Sequence, residues 1–292
     1  MKVLIAGANG QVGVALARTA PSSVQVHALP RAGLDITDAR QTLRVVADIE
    51  PDVIVNAAAF TAVDRAESEQ ELARLGNEAG PRHLAEAAAQ SGARLIHVST
   101  DFVFAGDASR PYRTTDATNP LSVYGRTKAA GETAVNATLP GRSVVLRTAW
   151  VYAATGHNFV RTMVRLMAER GFVRVVADQI GTPTSSDSLA HALWKFVEQP
   201  QLHGTHHWTD LGVASWYDFA VAISEEAVHV GLLSGEVRVE PIATEDYPTP
   251  ARRPRFSVLD SRSTVAAIGL VPLHWRVNLR KVLNEMLGGQ RA

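Results

Sequence analysis

The chain has 292 residues, 29 basic and 29 acidic side chains, 46% hydrophobic residues and no cysteine. That length and apolar share suit one large or two modest globular domains. Zero net charge argues against a broad cationic footprint for nucleic acid, and the absence of thiols excludes disulfides, thiolate metal sites and a cysteine nucleophile.

The opening MKVLIAGANGQVG begins like a signal peptide, but its apolar run stops at Asn9, short of an h-region. No stretch reaches the roughly 20 apolar residues of a membrane span. The expectation is a soluble cytoplasmic protein, with neither nucleic acid nor membrane as a partner.

Short β-branched runs then recur along the first half: Val3-Leu4-Ile5, Val24-Gln25-Val26, Val53-Ile54-Val55, Leu95-Ile96-His97-Val98 and Val144-Val145-Leu146. Consecutive apolar positions suit strands buried on both faces. Ala-rich stretches with helical spacing lie between them, such as Glu71 to Gln90. Strands alternating with helices predict an α/β fold with a doubly wound parallel sheet, the Rossmann arrangement.

The first run leads directly into Gly7-Ala8-Asn9-Gly10-Gln11-Val12-Gly13 and a helical stretch. Glycines permit the tight turn and close approach to a pyrophosphate, and a helix start offers free N–H groups. The second strand, Val24 to Leu29, ends in Pro30-Arg31 without the carboxylate that usually reads an adenosine ribose. A guanidinium at Arg31 suits a 2′-phosphate, hence NADPH with NADH also accommodated; a solvated surface arginine is the plain alternative. Asp35 is placed at the adenine edge, or Asp38 caps the next helix.

Further on, a buried strand empties into Ser99-Thr100-Asp101-Phe102. Ligands of parallel sheets bind beyond the carboxyl ends of strands, so these side chains are expected to face the crevice. Tyr124 and Lys128 stand four apart, on one face of a helix. An ammonium beside a phenol is expected to lower the phenol's pKa and ready it for proton exchange. The chain has only four lysines against 25 arginines, so a lysine at this spacing is notable.

Past Trp150 the rhythm loosens: a helical stretch from His157 to Arg170, a run Val173-Arg174-Val175-Val176, and a segment Pro241 to Pro254 with four of the 14 prolines, expected to be extended or turning. The expected organisation is a dinucleotide-binding core of residues 1–150, rejoined by 184–210, and a smaller lobe from 151–183 and 211–292. Adjacent His206 and His207 would point to opposite faces of a strand, which excludes them as a metal pair.

Five segments carry a resemblance: GANGQVG, VIVNAAAFTAVDRAES, STDFVFAG, NPLSVYGRTKAAGE and RTAWVYA, extended by Tyr247-Pro248-Thr249-Pro250-Ala251-Arg252-Arg253-Pro254. Together they resemble the extended short-chain dehydrogenase/reductase superfamily and, within it, the dTDP-4-dehydrorhamnose reductase family. The resemblance implies hydride transfer from NADPH or NADH to the C4 keto group of dTDP-4-dehydro-L-rhamnose. Another dTDP-4-keto-6-deoxyhexose, or a non-catalytic dinucleotide-binding subunit, are the alternatives.

It implies that Tyr124 is the proton donor, Lys128 its partner and ribose ligand, and Thr100 the hydroxyl of the triad. Gly10, Gln11 and Val12 would meet the pyrophosphate, Asp35 and Ile36 the adenine, and Ala59, Phe60 and Thr61 the cofactor beyond the third strand. Thr100, Asp101 and Trp150 would face the dTDP-sugar. The arginine cluster with Arg253 is a candidate for the diphosphate, with pairing to carboxylates such as Glu245 and Asp246 as the plainer reading. Some members hold magnesium at a homodimer interface through a glutamate on the first helix. Ala15 occupies that position here, so that metal and that dimer mode are not expected.

Overall fold

The computed structural model describes residues 1–291. The first half runs β1 (Lys2–Ala6), α1 (Gln11–Arg18), β2 (Gln25–Leu29), α2 (Ala39–Ile49), β3 (Val53–Asn56), α3 (Val63–Ser68), α4 (Gln70–Arg74), α5 (Gly80–Ser91), β4 (Arg94–Thr100), α6 (Val123–Thr138) and β5 (Ser143–Thr148). It continues through β6 (Val151–Tyr152), α7 (Phe159–Arg170), β7 (Phe172–Val176), β8 (Ile180–Gly181), β9 (Thr184–Ser185), α8 (Ser186–Glu198) and β10 (Gly204–His207). The last elements are β11 (Ala214–Ser215), α9 (Trp216–Val230), β12 (Arg238–Ile242), α10 (Arg262–Ile268) and α11 (Trp275–Arg291).

Six strands form one sheet in the order β10-β5-β4-β3-β1-β2, with every neighbouring pair parallel. Strand alternation sorts the core into two layers. Val3, Ile5, Val55 and Ile96 pack towards α8, where Leu189, Leu193 and Trp194 receive them, whereas Leu4, Ile54, Leu95 and Val145 share a cluster with Leu84 of α5 and Val135 of α6. The order reverses at β1 and β3, which opens a crevice beyond their carboxyl ends.

Residues 204–207 return to the sheet edge beside β5, and α8 packs against α1. A separate apolar cluster unites Val164 and Met167 of α7, Val173 and Val175 of β7, Phe219 and Ile223 of α9, and Leu279 and Leu283 of α11. The proline-rich segment is extended only at its start, where β12 pairs in parallel with β7. A 3₁₀ turn at Thr244–Asp246 follows.

Two boundaries differ from expectation for local reasons. The stretch Glu71 to Gln90 is not one helix: a π turn at Leu75–Ala79 interrupts it. The extra residue per turn directs the Asn77 amide to Phe60, accepting from its N–H at 2.8 Å and donating to its C=O at 3.0 Å, and also donating to Thr127 Oγ1 at 3.2 Å. The helix expected from His157 begins at Phe159, because Asn158 Oδ1 caps it by accepting from Arg161 N–H at 3.1 Å.

Helix α6 is tied to the sheet by a buried ion pair. Arg147 of β5 donates from Nη2 and Nε to Glu132 of α6 at 2.6, 2.9 and 3.1 Å, and Ser99 Oγ adds a hydrogen bond to Glu132 at 2.5 Å. The guanidinium also lies 5.0 Å from the Phe104 ring centroid. Both charged side chains are only 6% exposed. Removing one member leaves the other charge buried without its partner. Arg147→Met is therefore expected to lower unfolding free energy by about 3–5 kcal/mol, checked by urea denaturation.

Candidate active site

Gly7 directly follows β1 at φ +85°, a conformation that side chains rarely adopt. A Cβ there would lie 2.7 Å from Ala58 N in the segment after β3, and one at Gly13 would lie 2.2 Å from Gly7 O. The turn is thus packed too closely for any residue but glycine. The leading N–H groups of α1, on Gln11, Val12 and Gly13, have no acceptor within the helix, and the N-cap residue, Gly10, offers no side chain to cap them. These features fit a dinucleotide pyrophosphate.

The other residues expected to meet the cofactor lie in α1 and in the segments after β2 and β3. Ala59 and Thr61 are exposed after β3, while Phe60 is half-buried under the Asn77 amide. Gln11 is partly spoken for, since its Oε1 accepts from Asn158 Nδ2 at 2.9 Å. Arg31 follows β2, largely exposed, and its Nε donates to Asp35 at 3.0 Å. Asp35 also accepts from the Thr37 N–H at 3.0 Å and hydroxyl at 2.8 Å. Asp38 is the residue that caps α2, accepting from Gln41 N–H at 3.0 Å. Ile36 is buried against Gly80 and the core, and its carbonyl oxygen lies 2.9 Å from His83 Nδ1.

At the end of β4, neighbouring residues diverge as strand geometry requires. Ser99 does not face the crevice as expected: its hydroxyl turns to Glu132. Thr100 Oγ1 donates to Asp101 Oδ1 at 3.0 Å and accepts from Phe102 N–H at 3.2 Å. Asp101 is 2% exposed, and its Oδ2 has no partner in the protein. Burial pushes its carboxyl up to about 6, and the hydrogen bond from Thr100 opposes the rise.

Tyr124 lies in the first turn of α6, which Ser122 caps through Gly125 N–H at 3.1 Å. Its ring meets Phe102 edge-on at 5.6 Å between centroids. Contrary to the expectation of an acidified phenol, burial pushes Tyr124 up to about 12, Thr100 opposes the rise by hydrogen bonding, and the Asp101 carboxylate adds to it. Lys128 is directed elsewhere: its Nζ donates to Val98 O at 2.7 Å. Burial lowers Lys128 to about 8, while Glu132 one turn on opposes that fall.

On the far side, Trp150 follows β5 at φ +49°, an uncommon conformation for so large a residue. Its indole stacks on Trp216 of α9, 3.5 Å between centroids and 4° between planes. Gly181 presses against the same ring, since a Cβ on it would fall 2.5 Å from Trp150 Cε2. Arg253 is paired bidentately with Asp64 of α3 at 3.1 and 2.8 Å, and Arg255 pairs with Glu245 at 3.1 Å. The carboxylate that meets Arg253 is thus neither Glu245 nor Asp246. Asp64 lies three residues past Thr61, so this pair joins the proline-rich segment to the cofactor side. His206 and His207 diverge: the ring of one reaches His203 O, that of the other Tyr112 O.

Sequence reasoning overlooked Glu132, although its spacing of four from Lys128 was visible. It also passed over Asn56, His97, Asp64 and Trp216, whose contacts lie more than 30 residues away in sequence.

A parallel sheet with a glycine turn at its switch point and a tyrosine–lysine face on the helix before β5 defines an NAD(P)H-dependent oxidoreductase of the extended short-chain type. The family described as RmlD substrate binding domain matches residues 1–287. The chain belongs to that family. The dTDP-4-dehydrorhamnose reductase of Escherichia coli (strain K12) is 41% identical over 295 residues, covering 98% of each chain. The crystal structure of a dTDP-4-dehydrorhamnose reductase from Clostridium acetobutylicum is similar with a TM-score of 0.92 at 38% identity, covering 98% of this chain and 100% of that one. The enzyme from Bacillus anthracis, solved in complex with NADP, gives 0.91 at 36% identity, covering 97% and 99%.

The raised pKa of Asp101 has a stability consequence. A carboxyl whose folded pKa lies above its unfolded value stabilises fully below the unfolded value, near 4, and loses that contribution as pH rises through about 6. Asp101→Asn should therefore gain about 1–3 kcal/mol over the wild type at pH 7.5, and the gain should vanish near pH 4. Denaturation at three pH values checks this; a pH-independent difference would refute it.

Proposed function

We propose that the protein reduces the C4 keto group of dTDP-4-dehydro-L-rhamnose to give dTDP-L-rhamnose. The observation that carries the reading is the placement of Tyr124 and Lys128 one turn apart on α6, beside Thr100 at the end of β4 and next to the crevice between β1 and β3. Residues 1–150 with 184–210 form the cofactor half in this reading, and residues 151–183 with 211–292 form the sugar half.

A reduced nicotinamide dinucleotide, when bound, supplies the hydride. Gly7, Gly10, Gln11, Val12 and Gly13 would hold its pyrophosphate, with Ala59, Phe60 and Thr61 lining the crevice. Arg31 would meet a 2′-phosphate, which favours NADPH while Asp35, already paired with it, tempers the preference. Asp35 and the Ile36 backbone border the adenine. Lys128 would meet the nicotinamide ribose.

The substrate carbonyl would lie between Thr100 and Tyr124. Charge develops on its oxygen as the carbon is reduced, and a phenol with a pKa near 12 in the free protein is a ready donor to an alkoxide, a much stronger base. Thr100 donates a second hydrogen bond to the same oxygen by turning from Asp101, and the Lys128 ammonium stabilises the tyrosinate left behind. Asp101, through its free Oδ2, and Trp150 would orient the sugar. A guanidinium has five N–H donors, and its pairing with Asp64 and Thr249 leaves Arg253 donors for a diphosphate.

Turnover of dTDP-4-dehydrorhamnose with NADPH, followed at 340 nm with the product's stereochemistry identified, tests the reading. A different 4-keto-6-deoxyhexose as the sole substrate would overturn it. Tyr124→Phe should cut kcat by about 10²–10⁴ with little change in sugar affinity. Wild-type turnover in that variant would remove Tyr124 from the chemistry. Arg253→Ala should raise KM for the dTDP-sugar several-fold and leave the NADPH KM nearly unchanged. A loss seen only in Tm would make the arginine a clasp to Asp64 and nothing more.

A further inference from the structure

Lysine 128 stands at the end of a buried polar column in the protein interior. Asn56, the last residue of β3, is the register partner of His97 on β4, and both are fully buried. Asn56 Oδ1 accepts from Ala58 N–H at 3.1 Å, which turns the amide nitrogen to His97 Nδ1 at 3.0 Å. An amide nitrogen can only donate, so Nδ1 must accept. A neutral imidazole whose Nδ1 accepts carries its proton on Nε2. That Nε2 lies 3.5 Å from Lys128 Nζ.

The imidazole is neutral, because burial and the neighbouring lysine hold His97 well below its ordinary pKa. Its Nε2–H meets an ammonium as a second donor without an acceptor between them, but it meets the lone pair of a free amine as a partner. We propose that Ala58, Asn56 and His97 form a one-way donor chain ending on Lys128, in which His97 is a positioning residue that disfavours the ammonium relative to the amine at the crevice. The chain begins at a peptide N–H, which releases no proton, so it sets the lysine's state and does not conduct protons.

The other groups around Lys128 are few. Tyr124 and Glu132 flank it on α6, Asp101 follows β4, and Arg147 of β5 is committed to Glu132. From the π turn the facing side chain is the uncharged Asn77, held on Thr127. Burial disfavours the ammonium and Glu132 favours it, and His97 is the side chain whose donor faces Nζ. The catalytic consequence rests on the reductase reading above; the tautomer and the lysine titration do not.

With four lysines in the chain, ε-¹³C labelling resolves Lys128, and ¹⁵N-histidine spectra report the tautomer of His97, assigned by its loss in His97→Gln. In the full-length wild type His97 should be the Nε2–H tautomer from pH 6 to 8, and Lys128 should titrate near 8, well below the ordinary lysine value. Asn56→Asp keeps the acceptor for Ala58 but presents a carboxylate to Nδ1. The proton should move to Nδ1, Nε2 should offer a lone pair to the ammonium, and the Lys128 midpoint should rise by about one unit or more. The basic limb of the kcat profile should rise with it.

His97→Gln, which keeps an N–H near the Nε2 position, should leave the midpoint within about 0.3 unit of the wild type, a small change on the scale of a hydrogen-bond effect. An Nδ1–H tautomer in the wild type, or an unmoved midpoint in Asn56→Asp, would overturn the proposal. Should Asn56→Asp fail to fold, His97→Leu set against His97→Gln decides: the leucine variant must titrate higher, and equal midpoints overturn it. Failure of the wild type to reduce dTDP-4-dehydrorhamnose would instead strike the reductase reading, since both spectra are recorded without substrate.

Discussion

Seating α6 against the sheet is the constraint from which the site follows. The helix approaches so closely that a Cβ at Gly131 would lie 2.0 Å from Asn77 O, and the Glu132–Arg147 pair locks its register to β5. Tyr124 and Lys128 sit two turns and one turn before that anchor. Their positions relative to Thr100 are therefore set by a buried charge pair together with their own contacts to Phe102 and Val98. A buried pair adds little net stability over an apolar pair, but it punishes any arrangement that separates its members. That asymmetry suits a helix whose displacement by one residue would rotate the phenol out of the crevice.

Burial acts on the same face with opposite signs. It raises the phenol and the Asp101 carboxyl and lowers the Lys128 amine, each time by disfavouring the charged form. The charged forms of these groups are thereby disfavoured relative to the same groups in water. Charge that develops on a reacting oxygen then meets donors that water does not screen, the condition under which such donors act most strongly.

Three contacts tie segments that follow β5 to the surroundings of the crevice. Asn158 reaches Gln11 in the glycine turn, Arg253 reaches Asp64 just past the segment after β3, and Trp150 is held between Gly181 and Trp216. Each contact links a residue beside the cofactor crevice, or at the end of β5, to one that follows β5 in the chain. The left-handed backbone of Trp150 persists because the stack and the glycine enclose its ring from neighbouring elements.

Much of this was legible in the sequence because it is written in short-range pattern. Consecutive β-branched residues gave the parallel strands, the spaced glycines after Ile5 gave the turn, and a four-residue spacing put Tyr124 and Lys128 on one face. Local geometry decides each of these, and local geometry depends on neighbours in the chain. The π turn at Leu75–Ala79, the turning of Ser99 away from the crevice, the commitment of Arg253 to Asp64 and the Asn56–His97–Lys128 column were decided only by the tertiary structure. So was the phenol's pKa, which follows the water removed from around it rather than the lysine four residues away. Desolvation and hydrogen-bond direction depend on groups 31 to 189 residues apart here, and no local pattern records which of them will meet.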